Sequence, residues 1–397
     1  MRRRIGLCLI VLAAVGCEPE DPSSQQVTLE VREVARFGGV EGAGDLDWVA
    51  GLAVSDDAVF VLDSRAARVV VFSPDGAYLR DIGRRGGGPG EFQRPEAIGR
   101  IGDTLWVADP PGGRLELLTE SGQTHESIRW IVPADTLGTP AAPFMPMMDG
   151  SILAVPQSMP VSSIARGAIV HRNYYRTTPD GAEASQLYRE RLVPTDFVTA
   201  GIPNGTMVGL HPHRQSPLVD PLPDGSGLAV VERTAATDEE TAVFRFLIVR
   251  TDGTHAVDIE VPYEPTPADG WRERHIESIE ADMLASSGTI DRTFIERVQE
   301  AISDLSYYPP VTQLVAGHGG VVWLRREDSP GDSVRWDKYD VTGDRLGSAV
   351  LPSGARMIAA SADEVWAVIP DEYDVPVIYR WQIVQPGTPQ RGGTAVR

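Results

Sequence analysis

The sequence predicts an all-β chain folded as a six-bladed β-propeller, and three observations carry that expectation. Turn-formers are abundant, with 40 Gly and 31 Pro in 397 residues, which suits short strands joined by turns rather than long helices. One phrase, a Gly- or Asp-bearing turn followed by a short apolar strand, recurs six times. Finally, a strand near the amino end lacks a neighbour while the last repeat is one strand short.

The phrase is clearest at Asp56-Asp57-Ala58-Val59-Phe60-Val61-Leu62-Asp63 and Gly102-Asp103-Thr104-Leu105-Trp106-Val107-Ala108-Asp109. It returns at Asp149-Gly150-Ser151-Ile152-Leu153-Ala154-Val155, Gly225-Ser226-Gly227-Leu228-Ala229-Val230-Val231, Gly319-Gly320-Val321-Val322-Trp323-Leu324 and Ala362-Asp363-Glu364-Val365-Trp366-Ala367-Val368. After five of the six comes a hairpin turn, at Pro74-Asp75-Gly76, Glu120-Ser121-Gly122, Pro179-Asp180-Gly181, Thr251-Asp252-Gly253 and Thr342-Gly343-Asp344. Such turns reach positive φ and close a hairpin without splaying its strands. The sixth copy lacks this hairpin and ends on a strand at 377–383. The alternating segment at 27–37 is the spare strand, and pairing it with 377–383 closes the ring and leaves no open edge. With the 263–308 insertion removed, the copies recur every 52 residues or so, near the period of four-stranded propeller blades. Trp106, Trp323 and Trp366 hold equivalent repeat positions and are expected between blades.

The insertion reads as helical. Phe294, Ile295, Val298, Ala301, Ile302 and Leu305 form one stripe after an N-cap at Asp291, and Ile276, Ile279 and Met283 mark a shorter helix upstream. Joining blade four to blade five, it lies on the face where ligands reach a propeller. Two roles stand, a lid over the channel or a clamp on the rim.

The amino end sets the compartment. Arg2-Arg3-Arg4, an apolar run over 5–15 and small residues up to Cys17 have the pattern of a secretory leader, too short for a permanent membrane span. The small residues before Cys17 resemble a bacterial lipobox, although Ala14 stands where that pattern prefers Leu. The resemblance implies cleavage after residue 16, lipid on the Cys17 thiol, an acidic flexible linker over 17–26 and an outer-membrane lipoprotein facing the periplasm. The tail at 385–397 reads as disordered. Such processing removes Cys8, so no internal disulfide or Cys-based metal site is expected. It also takes the net charge from −20 to about −23, which argues against nucleic acid as a partner.

Catalytic motifs are sparse. His211-Pro212-His213 puts two imidazoles on one side of an extended segment and could join an acid around zinc, but no matching His stands in the other repeats, and an exposed loop is the plainer reading. Gly86-Gly87-Gly88-Pro89-Gly90 lacks the Lys-Ser or Lys-Thr and following helix of a phosphate loop and reads as a turn. No Gly-x-Ser-x-Gly elbow is present. No resident cofactor is expected, with calcium or zinc in the central channel left open.

Residues where the inner strands should begin would line the channel mouth: Trp48, Arg94, Glu96, His213, Arg214, Tyr308 and Arg356. Aromatic and Arg side chains converging there can stack on and hydrogen-bond a polar ligand. Trp48 and Tyr308 could equally wedge blades together.

The first repeat, with Val61-Leu62-Asp63, Arg68-Val69-Val70-Val71-Phe72, Pro74-Asp75-Gly76 and Gly86-Gly87-Gly88-Pro89-Gly90-Glu91-Phe92, resembles an NHL-type repeat. The whole chain resembles the bacterial six-bladed β-propeller lipoproteins, specifically over about 50–120 and in architecture beyond. The expected function is a monomeric, lipid-anchored envelope module that binds a small molecule or an envelope protein without catalysis. The alternative is a metal-dependent hydrolase or lyase with its site in the channel.

Overall fold

The computed structural model describes residues 27–39, 44–132, 140–156, 163–164, 166–193, 196–202, 205–210, 216–234, 242–268, 273, 276–277, 279–280, 283, 291–303, 306–326 and 333–384. The expected leader, Cys17, the linker and the tail lie outside them, as do His211, His213 and Arg214.

Six antiparallel four-stranded sheets form the ring. Strand β1 (Glu30–Gly38) comes first in the chain and is set aside for the last sheet. Blade 1 is β2 (Val49–Val54), β3 (Val59–Asp63), β4 (Arg68–Phe72) and β5 (Tyr78–Ile82). Blade 2 is β6 (Ala97–Ile101), β7 (Thr104–Asp109), β8 (Arg114–Thr119) and β9 (Thr124–Arg129). Blade 3 is β10 (Ala141–Pro146), β11 (Ile152–Pro156), β12 (Val170–Thr177) and β13 (Ala184–Leu192). A separate hairpin, β14 (Phe197–Ile202) and β15 (Gly205–Leu210), precedes blade 4. Blade 4 is β16 (Leu218–Pro221), β17 (Gly227–Glu232), β18 (Val243–Arg250) and β19 (His255–Pro262). Blade 5 is β20 (Gln313–Gly317), β21 (Val321–Arg326), β22 (Ser333–Asp340) and β23 (Arg345–Pro352). Blade 6 is β24 (Arg356–Ala360), β25 (Glu364–Pro370) and β26 (Pro376–Val384), completed by β1.

The repeated phrase is the second strand of each blade, and its unbroken apolar run has a physical reason. Side chains of period two face opposite sides of a sheet, and each blade is covered on both sides. Val59 and Val61 pack with Trp366 and Ile378 of blade 6, whereas Phe60 and Leu62 pack with Leu105 and Val107 of blade 2. The same division separates Leu228 and Val230 from Ala229 and Val231 in blade 4. The core is therefore a set of wedges between blades. Trp106, Trp323 and Trp366 are all buried in such wedges, each toward the blade that follows.

Closure follows the sequence expectation. Strand β1 pairs antiparallel with β26 from Glu30↔Val384 to Gly38↔Val377, with a bulge between Glu33 and Ala35. Phe37 packs 5.8 Å from Phe72 and 5.2 Å from Trp366, centroid to centroid, so it also seals the seam to blade 1. Gly76 carries φ +98° there, and a Cβ would stand 2.4 Å from the Arg36 carbonyl. Only glycine fits both demands. Just upstream, Leu29 N donates to Ser348 O at 2.7 Å and Ser348 N to Val27 O at 2.9 Å, tying this end to blade 5 as well.

Two insertions depart from the regular pattern. The hairpin β14–β15 was not expected from the sequence. Asp196 closes its root by accepting from Val193 N at 2.7 Å and Ser216 N at 3.1 Å. The expected helix forms as α1 (Arg292–Ile302), N-capped by Asp291, whose side chain accepts from Phe294 N at 3.1 Å. Its apolar stripe meets the other insertion: Val298 and Ile302 pack on Val198 of β14, with Ile276, Ile279 and Phe294 alongside. Of the helix expected upstream, only 273, 276–277, 279–280 and 283 are described, all helical. Bonds from Ala268 N to Ser306 O and from Tyr308 N to Thr266 O, both 2.9 Å, close the base of this segment.

Candidate functional site

In this topology the connections into the inner strands β2, β6, β10, β16, β20 and β24 share one face with the turns between second and third strands. Two carboxylates hold that face in blades 1 and 2. Asp63 is fully buried at the end of β3 and accepts from Asp47 N at 3.1 Å, Trp48 N at 3.0 Å and Ala66 N at 3.3 Å. Asp109, at the same place in β7, accepts from Gln93 N at 2.7 Å and Arg94 N at 3.0 Å. These two acids were legible only as part of the repeat, yet they fix the backbone of Trp48 and Arg94.

The Asp109 carboxylate also meets buried Arg114 at 2.9 Å. Arg114 donates onward to Gly88 O at 3.0 Å and Gly86 O at 3.4 Å, and Gly88 N donates to Glu91 Oε2 at 2.9 Å. The glycine-rich loop thus bonds to the protein's own side chains, as a turn between blades.

Trp48 and Arg356 come together across the closing seam. The indole is 50% exposed. The Arg356 guanidinium carbon lies 5.3 Å from its ring centroid and that of Arg65 lies 5.8 Å away, both within cation–π range. Arg356 donates from Nη2 to Val49 O at 2.6 Å, linking blade 6 to blade 1, and burial pushes its pKa below the ordinary value. Arg65 pairs with Asp47 at 2.9 Å on the surface. Arg94 and Glu96 form a second pair at 3.5 Å in front of β6. Burial pushes the Glu96 carboxyl up and the Asp109 charge adds to this, while Arg94 opposes both.

Tyr308 is placed differently. It is buried at the base of the insertion and lines a small cavity with Tyr263, Thr266, Pro309, Pro310 and Arg326. The remaining two residues singled out, His213 and Arg214, are outside the described residues.

Sequence reasoning missed Asp220 on inner strand β16. Its Oδ2 accepts from Ala316 N on β20 at 2.8 Å, joining blades 4 and 5. Burial pushes this carboxyl up to about 7, against the lowering effect of that amide. An acid between Val219 and Pro221, in a strand expected to be inner, was the available clue. Among the described residues no group of three or more His, Cys, Asp and Glu is placed to hold a metal ion. No helix among them is long and apolar enough to cross a membrane.

A family model described as a 6-bladed beta-propeller matches residues 46–112, which span blade 1 and the first half of blade 2. Several solved structures are similar at low identity. A candidate exported protein from Bacteroides fragilis shares 11% identity over 90% of this chain and 95% of its own, with a TM-score of 0.45. Virginiamycin B lyase from Staphylococcus aureus shares 10% over 90% and 100%, with 0.41. The calcium-binding protein regucalcin from Agrobacterium tumefaciens shares 10% over 88% and 95%, also with 0.41. No curated protein matches the chain. The six sheets and their closure make this chain a six-bladed β-propeller.

Proposed function

We propose that the chain is a binding module of the cell envelope, exported and tethered through lipid on Cys17, that holds a small molecule or an envelope protein at the propeller mouth. The basic and apolar leader up to Cys17 supports the export and the tether. The half-exposed Trp48, flanked by two guanidiniums on the face where the inner strands begin, carries the binding reading. Large aromatic side chains with a rigid backbone make effective recognition surfaces, and Asp63 supplies that rigidity. Catalysis is not part of this reading, since the nearby buried acids Asp63 and Asp109 are engaged by backbone amides and Arg114.

A photo-crosslinking residue at position 48 in intact envelopes tests the binding. A discrete adduct absent when the same residue replaces Tyr78 on blade 1's outer strand is expected; identical adduct patterns at both positions would overturn the mouth assignment. For the tether, a fatty-acid label should incorporate into the parent chain and disappear in Cys17→Ser. Labelling that survives this substitution would refute lipidation at Cys17.

A further inference from the structure

We infer that the mouth at the seam of blades 6 and 1 takes a carboxylate carried on a planar group, the carboxylate on Arg356 and the flat face against Trp48. This rests on the mouth-binding reading above and specifies its ligand chemistry.

The chain is strongly acidic, at −20, and its buried and part-buried guanidiniums commonly face carboxylates. Arg68 meets Asp45 and Asp81, Arg114 meets Asp109, Arg172 meets Glu190, and Arg380 meets Glu364. Arg356 is also part-buried, yet among the described residues no carboxylate lies within ion-pair distance of it. Its only protein partners there are the Val49 carbonyl and the Trp48 ring. A guanidinium stripped of water without a counter-charge is costly, and burial accordingly depresses its pKa.

Arg356 engages Val49 O through one hydrogen of Nη2 alone, so the other Nη2 hydrogen, together with Nε or Nη1 on the same edge of the guanidinium, remains for an acceptor. A carboxylate matches the planar fork of a guanidinium better than any other common anion except phosphate. The adjoining indole is half open to solvent and presents a π-surface suited to a flat group. Arg65 adds a second cation beside the same ring. Its ion pair with Asp47 is exposed on both sides, and such pairs are weak enough to rearrange for a ligand.

The test uses three isosteric planar probes, benzoate, benzamide and benzamidine, which are anionic, neutral and cationic. The readout is the indole N–H resonance of Trp48 in the purified full chain, identified by its loss in Trp48→Phe. Benzoate should shift this resonance saturably and bind about tenfold or more tightly than benzamidine. Arg356→Gln should remove that preference. Arg356→Lys, which keeps the charge but not the fork, should restore only part of it. Arg65→Gln, at an exposed position, should weaken benzoate binding with an unchanged melting temperature, so the test survives if Arg356→Gln loosens the seam. Equal binding of all three probes would overturn the carboxylate assignment while leaving the mouth a binding site. A benzoate shift that persists in Arg356→Gln would place the anion elsewhere and also overturn it. If no probe moves the Trp48 resonance, the inference falls, and the crosslinking result alone then decides the broader reading.

Discussion

The passage from one blade to the next is built in opposite ways on two sides of the ring. Between blades 1 and 2 a loop is pinned from within by Asp109, Arg114 and Glu91. Around blade 4 the passages grow outward into the hairpin β14–β15 and helix α1, which support each other through Val198, Val298 and Ile302. The first side relies on buried charge and backbone amides. The second relies on apolar contact between segments about a hundred residues apart. Polar pinning fixes loop atoms to within a hydrogen bond, which a recognition surface needs. Apolar docking of a separate layer leaves that layer able to loosen without opening the ring.

Breaking the polar side should have the largest effect. Asp109→Ala strands buried Arg114 and frees the amides of Gln93 and Arg94. A loss of about 3 kcal/mol is expected in denaturant unfolding, the low end for a broken buried pair, because Glu116 still faces Arg114. A loss below half of that would mean the loop holds itself. On the apolar side, Ile302→Ala should cost about 2–3 kcal/mol of local stability. Faster hydrogen exchange should be confined to α1 and β14–β15; an equal change in blades 1 and 2 would erase the contrast between the two regions.

Asp220 sharpens the comparison from between blades 4 and 5. Its ordinary pKa is 3.8 and its folded value about 7. Between those values the folded protein keeps a proton that the unfolded chain has lost. Its contribution to stability therefore falls as pH rises from about 4 to about 7 and stays low above that. Asp220→Asn keeps an acceptor for Ala316 N–H and should remove this slope. At pH 8 it should be more stable than the parent by on the order of 2 kcal/mol, less than the full shift implies because the residue is only part-buried. Parallel stability curves across that window would contradict the assignment. The smallest effect is expected from Asp291→Ala, about 1 kcal/mol for a lost N-cap, seen as fraying at the start of α1 by hydrogen exchange.

Residues 46–112, matched by the propeller family model, fall within the stretch where the sequence is most regular. Blade 3 is harder to read: its inner strand β10 starts at Ala141 and bulges between Pro143 and Met145, which interrupts the period-two pattern. The hairpin β14–β15 carries no hairpin signature: its closing pair is Ile202 and Gly205, so Asn204-Gly205 does not fill the two central turn positions where that dipeptide marks a hairpin. Of the mouth residues, Trp48, Arg94, Glu96 and Arg356 could be placed by counting strands, because their position follows from where inner strands begin. The burial of Tyr308 could not, because it depends on how the base of an insertion folds back.

What the sequence determined alone is everything that period two and turn chemistry encode: the second strand of every blade, five hairpin turns, the spare amino-terminal strand and its partner. Those are local patterns repeated six times, and repetition makes each copy evidence for the others. Only the tertiary structure decided which side chains meet across seams. It set Arg356 against Trp48, Asp220 against the Ala316 amide and α1 against β14, because such meetings depend on the ring's curvature and on segments far apart in the chain, and no local pattern records either.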